Sequence, residues 1–135
     1  MKKILNCVLL VDDNHNDNFF HKREIKKAND AIDIVEKQTG LDAIEYIKSK
    51  ESHGRMSPDL IFLDINMPVM NGWEFLHEFS LLDKELQEKV IIIMLTTSDS
   101  EDDVARAKEW SGVADFITKP LTKKLFEGII TKYFS

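Results

Sequence analysis

The stretch 61-IFLDINMPVMNG-72 joins an apolar run to a polar turn and then to the start of a helix. Three apolar residues lead into Asp64, and Asn66 and Pro68 follow within four positions. A run of this kind is typical of a parallel strand that is buried on both faces of a sheet. A carboxylate at the end of such a strand can be a cap, a metal ligand or a nucleophile, and the rest of the chain has to distinguish these roles.

Five short apolar runs divide the chain, and segments with a helical pattern separate them. The runs are CVLLV (7–11), AIDIV (31–35), LIFL (60–63), VIIIML (90–95) and ADFIT (114–118). This alternation predicts an α/β fold with a five-stranded parallel sheet, doubly wound by helices on both faces. The second run alternates apolar and polar residues, which favours an edge position. Residues 1–135 are expected to form one domain, because this length suits a single core.

Four of the predicted helices carry an apolar stripe at helical spacing. The residues expected to face the core are Phe19, Phe20 and Ile25 in the helix 17–29; Leu41, Ile44 and Ile47 or Tyr46 in the next; Trp73, Leu76 and Phe79 or Ser80 in the third; and Leu125, Phe126, Ile129 and Ile130 in the last. Another helix is predicted at 100–110. Thr39, Ser100 and Thr122 are the predicted N-caps of three helices, because their hydroxyls can accept the first free N–H groups.

The composition excludes several classes of function. The net charge of −6 and the pI near 5.2 argue against direct binding to nucleic acid or to a membrane surface. No apolar run in the sequence approaches the roughly 18 residues that a membrane span needs. Cys7 is the only cysteine, so a disulfide framework is excluded and a reducing cytoplasm is the expected location. The four histidines lack metal-ligand spacing and are expected to be structural or solvated.

Polar side chains follow four of the five predicted strands. They are Asp12 and Asp13 after the first, Asp64 and Asn66 after the third, Thr96 and Thr97 after the fourth, and Lys119 and Pro120 after the fifth. The carboxyl ends of parallel strands share one edge, where open α/β sheets bind ligands, so these groups are expected to converge. Three neighbouring carboxylates repel one another, and Mg²⁺ removes that repulsion. A carboxylate can also attack a phosphoryl donor, with Lys119 and Thr96 stabilising the phosphoryl oxygens.

Five motifs at strand ends, in this order over essentially the whole chain, resemble the receiver domain of two-component response regulators. The layout is similar to that of the chemotaxis response regulator and implies a flavodoxin-like (βα)5 fold. The resemblance implies that Asp64 is the phosphoacceptor. It implies that Asp13 binds Mg²⁺ directly, that Asp12 binds it mainly through water, and that Asn66 contributes its backbone carbonyl.

The same resemblance assigns the remaining site residues. Thr96 matches the switching hydroxyl, with Thr97 as a competing candidate, and Lys119 is expected to pair with the phosphoryl group. Pro120 matches a cis proline, and Phe116 occupies the position of the aromatic rotamer switch. Two departures are notable. Thr97 stands where a small residue is common and could narrow access to the phosphoryl group, and Phe116 lacks a hydroxyl.

One further position, Ser98, lies where members of the family differ in dephosphorylation rate. A small hydroxyl there is expected to position the attacking water less directly than a carboxylate or an amide would.

The implied function is that of a signalling switch with limited self-catalysed phosphotransfer and autodephosphorylation. A sensor histidine kinase or a phosphotransfer protein would donate the phosphoryl group, and the face formed by helix 4 (100–110), strand 5 (114–118) and helix 5 (after Thr122) would change shape. That face would signal to an unknown downstream protein, and a homodimer through it is a further expectation. The chain ends at Ser135, which implies a stand-alone receiver without an output domain. The loop before the third strand and the segments LTTS and ITKPL resemble the corresponding parts of regulators that are paired with phytochrome-like histidine kinases.

Three alternatives remain at this stage. A flavodoxin-type cofactor binder would need a phosphate loop rich in Gly, Ser and Thr after the first strand, where this chain has DDNHND. A phosphatase of the haloacid dehalogenase type would need a D-x-D motif after its first strand, and here the two acids are adjacent. A degenerate receiver that serves only as an interaction module would lack the chemical residues, which are all present.

Overall fold

The computed structural model describes residues 3–97 and 100–135 and contains a sheet of five parallel strands. The strands are β1 (Cys7–Val11), β2 (Asp33–Lys37), β3 (Leu60–Leu63), β4 (Ile91–Thr96) and β5 (Val113–Thr118). Their order across the sheet is β2-β1-β3-β4-β5, and every neighbouring pair is parallel. The predicted five-stranded parallel sheet is confirmed, including the edge position of β2.

Six α-helices and one short 3₁₀ helix connect the strands in the described residues. They are α1 (His15–Ala28), α2 (Gly40–Lys48), the 3₁₀ helix (Gly54–Met56), α3 (Gly72–Ser80), α4 (Lys84–Lys89), α5 (Glu101–Lys108) and α6 (Lys123–Tyr133). Thr39, Ser100 and Thr122 cap α2, α5 and α6 through their side chains, as predicted. Within residues 3–97 and 100–135, none of these helices has the length and apolar character required to cross a bilayer.

The sheet separates two hydrophobic cores, because successive side chains of each strand point to opposite faces. Leu9 belongs to the core that includes Trp73 of α3 and residues of α2 and α5. Leu10 belongs to the core that includes Phe126 of α6 and Ile25 of α1. The helices therefore cover both faces, which confirms the doubly wound arrangement.

The second strand begins two residues later than its apolar run suggests. The prediction placed it at 31–35, whereas β2 spans Asp33–Lys37. Its register is set by pairing with β1, in which Cys7 lies opposite Asp33 and Val11 opposite Lys37. Ile32 is buried but precedes the ladder, so the apolar run marks the entry to the strand rather than its extent.

The predicted inner side of α1 is right for Ile25 but wrong for Phe19 and Phe20. Phe19 and Phe20 are 57% and 40% exposed, whereas Asn18, His21 and Ile25 are buried. The buried positions keep helical spacing, but two of them are polar because the first turns of α1 lie over a polar edge of the sheet rather than over an apolar core. An assignment from hydrophobicity selects the wrong side of such a helix.

Smaller errors of the same kind occur in α2 and α6. Leu41 and Leu125 lie near the helix starts and are about half exposed, at 51% and 45%. Ala43 of α2 is buried instead, whereas Ile44, Ile47 and Tyr46 are buried as predicted. Phe126 and Ile129 of α6 are also buried as predicted. The stripe of α3 is confirmed, since Trp73, Leu76 and Phe79 are all buried.

The helix α4 was not predicted. Its sequence, KELQEK, has one apolar residue, Leu86, which packs against the α2, α3 and α5 core. The Gln87 side chain donates hydrogen bonds to the carbonyls of Ser80 and Leu82 and so ties this helix to the end of α3. Helix 4 and helix 5 of the sequence prediction correspond to α5 and α6.

A polar network holds the other end of the sheet, where β1 and β3 begin. Asp59 accepts hydrogen bonds from the backbone N–H groups of Asn6 and Cys7, at 2.8 and 3.1 Å. Arg55 of the 3₁₀ helix pairs with Asp33 at 2.8 Å and donates to the carbonyl of Ala31 at 2.6 Å. These contacts tie the segment before β3 to the start of β1 and β2.

Candidate functional site

The carboxyl ends of β1, β3, β4 and β5 bring the predicted site residues to one edge of the sheet. The N–H of Asp64 donates to the carbonyl of Val11 at 3.0 Å, which places the end of β3 beside the end of β1. The N–H of Lys119 donates to the carbonyl of Thr96 at 2.8 Å, which places the end of β5 beside that of β4. The predicted convergence of these residues is therefore observed.

Three carboxylates form the acidic part of the site. Each of Asp12, Asp13 and Asp64 offers an oxygen, and these oxygens lie within 4.8 Å of one another. Asp12 and Asp64 are buried, at 4% and 6% exposure, whereas Asp13 is exposed. Oxygen donors with this charge and spacing suit a hard divalent cation such as Mg²⁺, and the exposed Asp13 leaves the cluster open to solvent.

Burial and repulsion act together on Asp64. Burial raises the pKa of this carboxyl group, and the neighbouring Asp12 carboxylate raises it further. The Lys119 ammonium and a hydrogen bond from the Thr96 hydroxyl act in the opposite direction without cancelling the increase. The strand-end carboxylate is thus a group whose ionised form needs nearby positive charge.

Lys119 provides positive charge at the site. Its ammonium nitrogen lies 2.6 Å from Asp12, 2.7 Å from Asp17 and 3.8 Å from Asp64, and 9% of its side chain is exposed. Burial opposes the charge of this lysine, but its hydrogen bonds to Asp12 and Asp17 outweigh that effect and raise its pKa. Lys119 therefore stays protonated at neutral pH.

The two threonines at the end of β4 differ in burial. Thr96 is fully buried and its hydroxyl bonds the Asp64 carboxylate, whereas Thr97 is exposed. The structure therefore favours Thr96 over Thr97 as the hydroxyl that faces Asp64.

The other predicted residues lie around this centre. Asn66 is exposed in the loop after Asp64, and the role of its carbonyl stays a prediction. The Lys119–Pro120 peptide bond is cis, as predicted. Phe116 is half-buried and packs against the core that includes α3 and α5. Ser98 lies outside the described residues.

Residues of α1 complete the site, and the sequence analysis missed them. Asn18 is buried and donates to the carbonyl of Asp12 at 2.9 Å, and the N–H of Asn14 donates to the Asp12 side chain at 2.9 Å. Asp17 contacts Lys119, as described above. Its position in the first turn of α1, shortly after Asp12 and Asp13, was the available signal. His21 is buried next to Asn18, so its structural assignment fits.

Gly72 allows α3 to start directly behind Asp64. A Cβ atom at this position would lie 2.6 Å from the carbonyl oxygen of Asp64 and 2.9 Å from the Cα of Ile65. The N–H of Gly72 also donates to the carbonyl of Ile65 at 2.8 Å. The glycine in the opening stretch is thus required for close backbone packing at the site.

Comparison with known proteins agrees with this geometry. The family model for the response regulator receiver domain matches residues 8–131. A two-component response regulator from Cytophaga hutchinsonii is similar in structure, with a TM-score of 0.87, 30% identity, and coverage of 97% of this chain and 98% of that chain. A bacteriophytochrome response regulator has a TM-score of 0.76 and 28% identity, covering 96% of this chain and 92% of its own.

A curated relative shows the same similarity within a much larger protein. The hybrid signal transduction histidine kinase L of Dictyostelium discoideum is 33% identical over 132 residues, which is 97% of this chain but 7% of that kinase. The match to the receiver family over residues 8–131 argues against the flavodoxin-type and phosphatase alternatives. Together with the sheet order and the strand-end cluster, it shows that the chain belongs to the response regulator receiver family.

Proposed function

We propose that this receiver accepts a phosphoryl group on Asp64 from a phosphohistidine of a sensor histidine kinase or a phosphotransfer protein. The observation that carries the proposal is the meeting of Asp64 with Lys119, Thr96 and two further carboxylates at one edge of the sheet. Receiver domains act as signalling switches with such donors, and the finer assignment to these residues is the proposal. The cytoplasm is the proposed compartment for this exchange.

The proposed step is a displacement at phosphorus. A carboxylate oxygen of Asp64 forms a bond to phosphorus while the phosphorus–nitrogen bond of the donor breaks, and the electron pair returns to the imidazole nitrogen of the donor, which takes up a proton. The Thr96 hydroxyl keeps the Asp64 carboxylate in place through its hydrogen bond. Lys119 then pairs with the phosphoryl oxygens, because it is the ammonium group nearest to the acceptor carboxylate among the ion pairs of the site.

Mg²⁺ is the proposed cofactor. Asp12, Asp13 and Asp64 would hold it, with the carbonyl of Asn66 as a further ligand by family resemblance. When bound, the ion neutralises the charge that develops on the phosphoryl oxygens. The donor set fits this role because three oxygens of the right type already lie together and one of the carboxylates is open to solvent.

The proposed output is a change at the face formed by α5, β5 and α6. Phosphorylation adds a charge of about −1.5 to −2 next to Lys119 and Thr96. Lys119 directly follows β5, and Phe116 of β5 packs against the core beside α5, so a shift of the lysine can reach this face through one strand. The proposed readers of the face are an unknown downstream protein or a second copy of the receiver.

We also propose that the receiver acts either as a terminal switch or as a relay. The likeness to a bacteriophytochrome response regulator makes a phytochrome-like kinase the first donor to try.

The experiment is phosphorylation by acetyl phosphate, in Mg²⁺ or in EDTA, followed by intact mass. Wild type should gain one phosphoryl group in Mg²⁺ only, and Asp64→Asn should gain none. Asp42→Asn removes an exposed aspartate of α2 and should behave as wild type. A folded wild-type protein that gains nothing from acetyl phosphate or from a phosphorylated histidine kinase would contradict the proposal and leave an interaction module.

A further inference from the structure

Asp17 makes a contact that the family resemblance did not assign. It is the third residue of α1, where its N–H donates to the side chain of the cap Asn14 at 3.0 Å. Its carboxylate accepts a hydrogen bond of 2.7 Å from the ammonium group of Lys119, the residue that directly follows β5. The two residues are 102 positions apart in the sequence. The ion pair lies on the side of the site next to α1. The Asp17 side chain is 34% exposed, so the pair remains partly accessible to water.

The distances show where Lys119 is held. Its nitrogen is 2.6 Å from Asp12 and 2.7 Å from Asp17, but 3.8 Å from Asp64. The ammonium group is therefore hydrogen-bonded to Asp12 and Asp17, and it lies beyond hydrogen-bond distance of the Asp64 carboxylate. We propose that Asp17 is a positioning residue that holds Lys119 away from Asp64 and thereby slows the phosphorylation of Asp64. This inference rests on the proposed function.

The physical argument concerns the donors of one ammonium group. Its three N–H groups are directed at whichever acceptors lie closest. During phosphoryl transfer they should point at the phosphoryl oxygens, where negative charge has to be stabilised. The hydrogen bond to Asp17 must lengthen or break for this, and that cost adds to the barrier. A partly exposed ion pair of this kind corresponds to a rate change of about twofold to fivefold.

A matched control is available in α2. Asp42 is also the third residue of its helix, and its N–H donates to the side chain of the cap Thr39 at 3.0 Å. Asp17→Asn and Asp42→Asn therefore remove the same charge from the same helix position, with the same loss of interaction with the helix dipole. Of these two aspartates, Asp17 is the one that contacts Lys119, so a difference between the variants reports on that contact.

The test measures initial rates of phosphorylation by acetyl phosphate at saturating Mg²⁺. Asp17→Asn should react about two to five times faster than wild type, and Asp42→Asn should match wild type within about 1.5-fold. Asp17→Ser serves as a second variant, and thermal unfolding checks that each protein is folded. Equal rates for wild type and both Asp17 variants would overturn the inference while leaving the proposed function intact.

The same substitution is then made in a Lys119→Met background. Asp17→Asn should have no further effect on the residual rate there, because the inference assigns its effect to the lysine. An equal acceleration in both backgrounds would mean general charge repulsion and would overturn the inference. A wild-type protein that accepts no phosphoryl group from acetyl phosphate or from a histidine kinase would overturn both the inference and the proposed function.

Discussion

Lys119 carries positive charge into a site that contains four carboxylates. Asp12 and Asp64 are buried beside it, Asp17 is partly exposed, and Asp13 is open to solvent. A buried carboxylate that loses its partner is strongly destabilising, because its charge is left without compensation. The free energy of folding and the chemistry of the site therefore depend on the same ammonium group.

Replacing Lys119 by Met should lower the free energy of unfolding by about 3 kcal/mol in EDTA, since Asp12 and Asp64 lose their partner. The loss should be clearly smaller in Mg²⁺, which compensates the same carboxylates. Urea unfolding in both buffers measures this, with Lys132→Met at an exposed ion pair as the control. An equal loss in both buffers would argue against a cation site formed by these residues.

Cys7 is expected to be chemically silent in the folded protein. The thiol is fully buried, and burial, with help from Asp59 and Asp33, raises its pKa from 9.0 to about 12. At pH 8.5 alkylation by iodoacetamide should be at least about a thousandfold slower than in urea, because three pKa units remove that much thiolate. Mass spectrometry of native and unfolded samples measures the ratio.

Ionisation of Cys7 also affects stability at high pH. The unfolded thiol loses its proton near 9.0 and the folded thiol near about 12, so stability should fall as the pH rises between these values. Cys7→Ala should lack this part of the decline, whatever its absolute stability. Parallel slopes for the two proteins over this range would contradict the shifted pKa.

Two substitutions, at Ser98 and Thr97, test what sets the lifetime of the proposed acyl phosphate on Asp64. The family resemblance predicts that Ser98→Glu shortens the half-life, because a carboxylate orients the attacking water better than a small hydroxyl. Thr97 is exposed beside the buried Thr96, so Thr97→Ala should open access and shorten it as well. Decay of the phosphoprotein after removal of the donor measures both, and a longer half-life for either variant would contradict the prediction.

Among the elements, α1 and α3 position the site from opposite sides of the sheet. The start of α1 supplies Asn14, Asp17 and Asn18, which contact Asp12 or Lys119 directly. The start of α3 contributes no charged group to the centre, but it packs its first residue, Gly72, against the backbone of Asp64. One helix thus contributes polar side chains and the other a close backbone contact.

Gly72→Ala should displace the loop that follows Asp64, because the added Cβ would meet backbone atoms at 2.6 and 2.9 Å. We expect a loss of about 1–3 kcal/mol in stability and slower phosphorylation by acetyl phosphate. Gly128→Ala in α6, where a Cβ meets nothing within 4 Å, should instead gain about 0.5–1 kcal/mol through helix propensity. Normal stability and rate for Gly72→Ala would show that the loop can yield.

Strands and strand-end residues could be read from the sequence, whereas the site contribution of α1 could not. Buried parallel strands are continuous apolar runs, so the polar residue at the end of such a run is visible in the sequence, as Asp64 shows. The inner side of α1 is polar where it meets the site, and an assignment from apolar residues therefore chose Phe19 and Phe20. Asp17 was missed because its partner, Lys119, comes from the far end of the chain.

At the scale of the whole molecule, the candidate site and the network of Asp59 and Arg55 lie at opposite ends of the sheet. The site lies at the carboxyl ends of the strands, and the Asp59 and Arg55 network lies where β1 and β3 begin. Substitutions in the Asp59 and Arg55 network should therefore alter the free energy of unfolding without altering the rate of phosphorylation.

Asp59→Ala tests this separation. It removes the acceptor of two backbone N–H groups in a partly buried place, so unfolding should become easier by about 1–3 kcal/mol. The rate of phosphorylation by acetyl phosphate should stay within twofold of wild type at a temperature where the variant is folded. A large change in rate with an intact fold would show that the two ends are coupled.

The strand order has a consequence for the timing of assembly. Asp12 follows the first strand along the chain and Lys119 follows the last, yet their side chains meet at 2.6 Å. During synthesis the acidic residues leave the ribosome long before their lysine does, and the ion pairs cannot form until β5 has docked beside β4. The site therefore cannot be completed before β5 has docked, and on the proposed function a nascent chain cannot accept a phosphoryl group until then.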